Sequence, residues 1–239
     1  MAEAPRVRAP DLSADLDRIE RAVDEGSTDL AGLGFWRLVK RVKLSPEAAA
    51  RHGEQVGRID TKAFRCGVPR RYPVWAGNAV LSAGVLAGAV AVLFAVRVSS
   101  SLLKGLALVA AGGLWAVSLH CLAHWAVGRL TGMRFTDYFI GGPPPPRPGL
   151  KTDYASYLRV AADRRAWMHA SGALATKAAP FLPLFFWDAA DAPVWSAIAL
   201  LAVGAVQIVT DVVFSVRSSD WKKVLRERAI AREVAALDD

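Results

Sequence analysis

Residues 74–96 read VWAGNAVLSAGVLAGAVAVLFAV, and residues 105–127 read GLALVAAGGLWAVSLHCLAHWAV. Neither run contains an Asp, Glu, Lys or Arg residue. A helix that crosses the hydrocarbon core of a bilayer needs about 20 mostly apolar residues, whereas a buried helix of a soluble protein is usually shorter. The two runs therefore predict transmembrane helices, and they exclude a soluble enzyme.

Two further apolar runs follow, and each contains a single charged residue. Residues 168–187 contain Lys177 and two prolines, and residues 192–214 contain Asp211. Because neighbouring helices can satisfy the backbone groups that a proline leaves free, the prolines predict a kink and still permit a span. We expect an all-α polytopic membrane protein with about four transmembrane helices, over residues 74–96, 105–127, 168–187 and 192–214.

The basic residues are distributed unevenly between the segments that connect these spans. With four spans, residues 1–73, the connection 128–167 and the tail 215–239 lie on one side of the membrane. These segments carry 27 of the 30 Lys and Arg residues. Segments rich in Lys and Arg stay in the cytoplasm, so we expect both termini to be cytoplasmic. The net charge of +8 then reflects topology and contact with anionic lipid, and it does not indicate nucleic acid.

The cytoplasmic region, residues 1–73, is expected to form short helices. Apolar residues recur at helical spacing over residues 12–23, a basic amphipathic stretch covers residues 33–44, and Ser-Pro-Glu at 45–47 is typical of a helix start. We expect these helices to pack together as a small solvated region. Binding of the amphipathic stretch to a membrane surface or to a partner is the alternative.

The rest of the chain, residues 74–239, forms the predicted membrane domain. Within its cytoplasmic loop, the sequence GGPPPPRPG at 141–149 indicates a stiff extended connector, because successive prolines favour polyproline geometry. The chain has two cysteines, Cys66 and Cys121, which exclude a disulfide-stapled secreted domain.

A pair of histidines lies near the cytoplasmic end of the second span, where residues 118–125 read SLHCLAHW. His120 and His124 stand at positions i and i+4 and share one face of a helix, as a metal-binding pair requires. His120 lies about 10 Å inside the apolar run, where polar residues are costly and usually functional. The spacing also permits a second interpretation, in which two neutral imidazoles hydrogen-bond to neighbouring helices.

The context of this pair resembles the site-2-protease family of intramembrane zinc metalloproteases, in which H-E-x-x-H lies in a transmembrane helix. From His120 the chain reads HCLAHWAVGRLTGMRFTDYFIGG, a basic stretch with a glycine followed by a strand-like segment and a glycine-containing turn, as in that family. Residues 170–175, ASGALA, resemble its A-G-P-L-A segment, and residues 220–227, DWKKVLRE, resemble its D-G-x-R-V-L-R run. The resemblance covers residues 110–230 and implies a three-helix core, with residues 1–73 and the first span outside it.

The resemblance implies that His120 and His124 are two zinc ligands and that Asp220 is the third. Two imidazoles and one carboxylate leave a fourth position for water on a tetrahedral zinc ion. Asp211 lies inside the last apolar run at the depth of His124, whereas Asp220 lies beyond that run. Depth therefore favours Asp211 and the motif favours Asp220. We follow the motif, which leaves Asp211 as an alternative ligand or a substrate contact.

Two residues depart from the family pattern at the reaction centre. Cys121 replaces the glutamate that serves the family as general base and proton donor. A thiol is shorter and mostly protonated at neutral pH, and loss of a general base typically costs about 10²–10⁴ in rate. Cys121 is not expected to be a ligand, because position i+1 points about 100° away from the histidine face. Trp221 replaces a glycine, which predicts a narrowed or plugged site.

These departures predict a site-2-protease-like metallopeptidase homologue that binds zinc and has impaired or lost proteolysis. Its expected partners are membrane lipid and transmembrane segments of other proteins, held in the former substrate groove. One alternative is an active intramembrane zinc metalloprotease with an unconventional base, for example Asp211 or a second water. A further alternative is a metal-free structural or transport protein whose polar core pairs Lys177 with Asp211. His169, at the start of the third predicted span, has no assigned role.

Overall fold

A computed structural model describes residues 12–141, 147–213 and 219–238, and most of these residues are helical. The elements follow one another along the chain as α1 (Leu12–Asp24), α2 (Phe35–Lys43), α3 (Pro46–Gly67), β1 (Arg71–Pro73), α4 (Val74–Arg97), α5 (Ser101–Leu130), β2 (Phe135–Gly141), β3 (Arg147–Thr152), α6 (Tyr154–Leu158), α7 (Ala162–Ala178), a 3₁₀ helix (Ala179–Phe186), α8 (Val194–Val213) and α9 (Asp220–Asp238).

The first three helices share one apolar core. Each helix contributes one face, and Leu158 of α6 packs against them. The most deeply buried members of this core are Leu16, Ile19, Val23, Phe35, Val39, Val42, Val56 and Ile59. Because the apolar face of α2 lies inside this core, α2 packs as a structural helix, and that face is not available to a membrane surface.

Local sequence signals set the starts of α2 and α3. Gly34 precedes α2 with a φ of 77°, a left-handed conformation that suits glycine. Ser45 caps α3 by accepting a hydrogen bond from the backbone N–H of Ala48 at 3.1 Å, and Pro46 is the first helical residue. The helix start predicted from the Ser-Pro-Glu sequence is therefore confirmed.

Three helices in the described part of the chain, α4, α5 and α8, are long and apolar enough to cross a membrane. They cover most of the three apolar runs at 74–96, 105–127 and 192–214. Large apolar side chains point outward along them: Trp75 is 75% exposed and Leu86 is 67% exposed. Contiguous apolar surface of this extent is unusual on a soluble monomer, and it suits lipid chains.

The third predicted span, residues 168–187, is not a single α-helix. Its first part is the C-terminal portion of α7, and its second part is the 3₁₀ helix. Pro180 and Pro183 lie in that second part, and neither has the backbone N–H that an α-helix requires. The described residues therefore contain three candidate spanning helices, where the sequence predicts about four.

A small antiparallel sheet adds β structure to the expected all-α fold. β1, β2 and β3 pair in that order, and Phe139 of β2 lies opposite Gly149 of β3. A β-carbon at Gly149 would overlap the Phe139 ring, so glycine allows the ring to lie over the strand. The predicted connector, residues 141–149, thus begins in β2 and ends in β3, while residues 142–146 lie outside the described ranges.

The central helix α5 packs against α4, α7, the 3₁₀ helix and α8. At one end of this bundle, the ammonium of Lys104 lies 3.3 Å from the carboxylate of Asp191, in the turn that precedes α8. At the other end α9 packs against α7, and Lys40 of α2 lies 3.3 Å from Glu233 of α9. The N-terminal region and α9 therefore lie at the same end of the bundle.

Candidate metal centre

Two histidines of α5 lie against α7, close to the first residue of α9. The ring centres of His120 and His124 are 4.7 Å apart; His124 is buried and His120 is half-buried. A β-carbon at Gly172 of α7 would overlap the His124 imidazole. The glycine of the segment 170–175 therefore makes room for one member of the histidine pair.

Hydrogen bonds to α7 orient both histidines and place the ring hydrogen of each neutral imidazole on Nδ1. Nδ1 of His124 lies 2.6 Å from the carbonyl oxygen of Met168, which can only accept, so this nitrogen carries the hydrogen. The Thr176 hydroxyl donates to the carbonyl of Gly172 and therefore accepts from Nδ1 of His120 at 2.9 Å. In a neutral imidazole the second nitrogen then has a free lone pair. When neutral, each histidine thus directs an unprotonated Nε2 toward Asp220.

Asp220, the first residue of α9, brings a third electron-pair donor to these nitrogens. Its Oδ2 lies 3.2 Å from Nε2 of His124 and 3.4 Å from Nε2 of His120. Ligands held at about 2.0–2.2 Å around a tetrahedral zinc ion lie roughly 3.3 Å from one another. The three donor atoms all lie within 4.8 Å of one another. Their chemistry and spacing fit a divalent metal ion such as zinc.

The charge of Asp220 also favours a cation at this point. Burial alone would raise the pKa of this carboxyl, but the neighbouring His124 and the Lys223 ammonium, 2.9 Å from Oδ1, lower it well below its usual range. The N-terminal turn of α9 stabilises negative charge further. Two nitrogen atoms and a carboxylate this close together need a cation or a shared proton between them. The triad can therefore hold a metal ion, or a hydrogen bond between Nε2 of His124 and Asp220 at 3.2 Å.

Asp211 and Trp221, which the sequence placed near the metal centre, lie apart from the triad of His120, His124 and Asp220. Asp211 pairs with Lys177, whose Nζ is 2.5 Å from Oδ2. Trp221 packs against α7, and it is absent from the described residues that line the cleft at the triad. The plugging that the sequence predicts for Trp221 is therefore not observed, because the residue after Asp220 on a helix points about 100° away from it.

A cleft of about 510 Å³ opens at the triad, with β2 and β3 on one wall and α5, α7, α8 and α9 on the others. Cys121 lines this cleft as a buried free thiol and stands outside the triad. The carboxylates among the described lining residues are Asp211 and Asp220. One is paired with Lys177 and the other belongs to the triad, so neither stands free beside Cys121.

The groups that orient the histidines were missed by reasoning from sequence. Thr176 is a hydroxyl residue within an apolar run, and that contrast could have marked it. The carbonyl of Met168 is a backbone group and leaves no trace in a sequence. His169, which had no predicted role, lines the cleft and lies 2.9 Å from the hydroxyl of Tyr157.

No family model matches the sequence, no curated protein matches it significantly, and no solved structure matches its fold significantly. The resemblance to site-2 proteases therefore depends on the quoted motifs.

Proposed function

We propose that this chain is a membrane-embedded, zinc-binding homologue of the site-2 proteases in which proteolysis is impaired or lost. The convergence of His120, His124 and Asp220 carries the proposal. Asp220 is separated from His124 by 96 residues, and it is the aspartate that the family motif selects. Two imidazoles, one carboxylate and an open fourth position are typical of catalytic zinc sites.

The chain's own residues supply little of the proton chemistry that peptide hydrolysis needs. Zinc in such a site polarises a carbonyl group and lowers the pKa of a bound water. Cys121 stands at the position of the family's general base and offers a thiol in place of a carboxylate. Among the described residues that line the cleft, Asp211 is the carboxylate outside the triad. It is paired with Lys177. Since a missing general base typically costs about 10²–10⁴ in rate, we expect slow or absent proteolysis.

The proposal includes four membrane crossings with both termini in the cytoplasm. An odd number of crossings would separate α2 from α9, yet Lys40 and Glu233 join these helices. The segment 162–186, formed by α7 and the 3₁₀ helix, is roughly 40 Å long at 1.5 and 2.0 Å per residue, which suffices for the additional crossing. The contact of Lys104 with Asp191 supports the same topology, because it joins the turns at the opposite end. Membrane lipid and transmembrane segments of other proteins are the proposed partners.

Two other functions have specific support. An active intramembrane zinc metalloprotease could use Asp211 as its base, because Asp211 lines the cleft. A metal-free structural or transport protein would have a polar core, and the ion pair of Lys177 with Asp211 is such a core. The convergence of His120, His124 and Asp220, with donor atoms within 4.8 Å of one another, favours a metal-binding protein over the metal-free one.

Cleavage of a membrane-embedded reporter by the purified protein in liposomes tests the proposed loss of proteolysis. We expect no detectable cleavage by the wild type and a gain of cleavage in Cys121→Glu. Cys121→Gln is the matched control, because it has the size of glutamate without a basic oxygen, and it should stay inactive. Reporter cleavage by the wild type that disappears in His120→Ala, with little change in Cys121→Glu, would contradict the proposal and support the active protease.

A further inference from the structure

Glu227 is a charged residue that lies buried where four helices meet. It belongs to α9, seven residues after Asp220, and is 3% exposed. Lys43 of α2 donates a hydrogen bond to its Oε1. Tyr157 of α6 donates to the same oxygen at 2.9 Å, and Arg165 of α7 donates to Oε2 at 2.7 Å. We call Lys43, Tyr157, Arg165 and Glu227 the Glu227 cluster.

The Glu227 cluster is held together by charges that have little access to water. The side chains of Arg165 and Glu227 are 3% and 4% exposed, and Lys43 is 10% exposed. A buried carboxylate is costly unless cations and hydrogen bonds compensate it, and the loss of one partner then destabilises the remaining charges. The geometry of the cluster therefore fixes α9 against α2, α6 and α7.

Two routes connect the Glu227 cluster with the triad. Along α9, Glu227 and Asp220 are two helical turns apart, about 10 Å. Through side chains, the Tyr157 hydroxyl accepts a hydrogen bond from Nε2 of His169 at 2.9 Å. The ring centre of His169 lies 6.4 Å from that of His124. The cluster is thus connected to the triad through Asp220 along α9 and through His169 next to His124.

A second ion pair joins α2 to α9 at the surface. Lys40 and Glu233 are 3.3 Å apart, and their side chains are 57% and 46% exposed. Exposed pairs of this kind contribute little to stability. Because this pair bridges the same two helices without being buried, Glu233 is a matched control for Glu227.

We propose that Glu227 is a positioning residue for the metal centre, which holds α9 so that the Asp220 carboxylate meets His120 and His124. The inference rests on the metal site of the proposed function. Lys43 belongs to the N-terminal region, so this region becomes part of the support of the site. Metal binding and the packing of α2 on α9 are then coupled, and each strengthens the other.

Titration of the purified full-length protein with Co²⁺ tests this role, because the visible spectrum of Co²⁺ changes with its ligands. We expect Glu227→Gln to lower the Co²⁺ affinity about 10–100-fold, the usual effect of losing a group that supports a metal ligand. Its spectrum should shift toward that of Asp220→Asn. Tyr157→Phe keeps every charge of the cluster and should lower the affinity by roughly fivefold, the worth of one hydrogen bond. Glu233→Gln should retain the wild-type affinity and spectrum.

Three results would overturn or redirect the inference. Wild-type affinity and spectrum in both Glu227→Gln and Tyr157→Phe would contradict the positioning role and leave the metal site intact. If Glu227→Gln does not fold in the detergent used for the wild type, Tyr157→Phe alone decides. A lowered Co²⁺ affinity then supports the positioning role, and wild-type affinity and spectrum contradict it. If the wild type binds no Co²⁺, the proposed function fails, and the positioning role fails with it.

Discussion

At Gly172, the absence of a side chain larger than a hydrogen atom sets the position of the His124 ring. The His124 imidazole lies against the backbone of α7 at this residue, and its Nδ1 reaches the carbonyl of Met168 from there. Any side chain at position 172 would push the ring away from that carbonyl and from Asp220. A glycine at position 172 is thus required by the site.

We therefore expect Gly172→Ala to lower the zinc affinity by about tenfold or more, since the ring of His124 loses the contacts that orient it. Gly113→Ala is the control, because a β-carbon at Gly113 meets no atom within 4 Å. Competition with a chelating dye measures both affinities in the same detergent. Equal affinities in the two variants would show that His124 is oriented in another way.

Substitutions of single residues distinguish Asp220 from Asp211 as the third ligand. Asp220 lies within 3.4 Å of both Nε2 atoms, while Asp211 is held by Lys177. Asp220→Asn should therefore lose most of the bound zinc, and Asp211→Asn should keep it. Zinc per chain, measured by atomic emission, checks both variants. The opposite result would make Asp211 the ligand, as its depth in the apolar run first indicates.

At the scale of elements, long apolar runs were the features most readily predicted from sequence. α4, α5 and α8 lie where uncharged or nearly uncharged runs occur, because backbone groups in a bilayer must be satisfied within a helix. The segment 168–187 follows a different rule, since its two prolines convert part of it into a 3₁₀ helix. Within the sheet, the strand-like segment after the histidine pair indicated β2, whereas β1 and β3 gave no clear signal, because β1 has three residues and the sequence before β3 is rich in proline.

The site was predictable in part, for a related reason. His120 and His124 are four residues apart, so helical periodicity alone placed them together. Asp220 was predicted through the family resemblance and not from any spacing. The contact of Lys43 with Glu227 spans 184 residues between two charge-rich segments, and no local pattern distinguishes these two charges from their exposed neighbours.

The contact between α2 and α9 predicts a dependence of stability on pH in the metal-free protein. Burial alone would raise the pKa of Glu227, but Lys43 and Arg165 lower it below the ordinary value of 4.5. A carboxyl of this kind stabilises the folded state above its unfolded pKa, and this contribution is lost as the pH falls through the folded pKa. Glu227→Gln should thus melt at a lower temperature than the wild type at pH 7, with a difference that shrinks below about pH 4.5.

Thermal unfolding of both proteins between pH 7 and pH 3.5 measures this difference. Glu233→Gln should melt like the wild type throughout, since its ion pair is exposed. A difference between Glu227→Gln and the wild type that stays constant down to pH 3.5 would show that the ionised carboxylate is not what stabilises this contact.

At the scale of the whole molecule, the ends of the bundle predict which residues face each side of the membrane. In the proposed topology of four crossings with cytoplasmic termini, the N-terminal region and α9 lie on the cytoplasmic side, and the turn before α8 lies on the other. The exposed Cys66 of α3 is a native probe of the first side. Asp188→Cys, in a Cys66→Ser background, introduces a probe of the second side at an exposed position.

In sealed right-side-out vesicles, an impermeant maleimide should label Asp188→Cys and leave Cys66 of the wild type unlabelled. Inside-out vesicles should give the reverse pattern. Cys121 is buried and should add little background. Labelling of both probes from the same side would contradict four crossings and would require α7 and the 3₁₀ helix to stay on one side.

Zinc per chain in the detergent-purified wild type, beside the double variant His120→Ala/His124→Ala, is the most direct test of the metal centre. The triad geometry predicts about one zinc ion per wild-type chain, as one tetrahedral site requires, and essentially none in the variant. Both proteins should be purified without chelators and compared at equal folded fraction. A wild type that holds no more zinc than the variant would contradict the metal centre, and the contact of the two histidines with Asp220 would then be a purely structural hydrogen-bonded core.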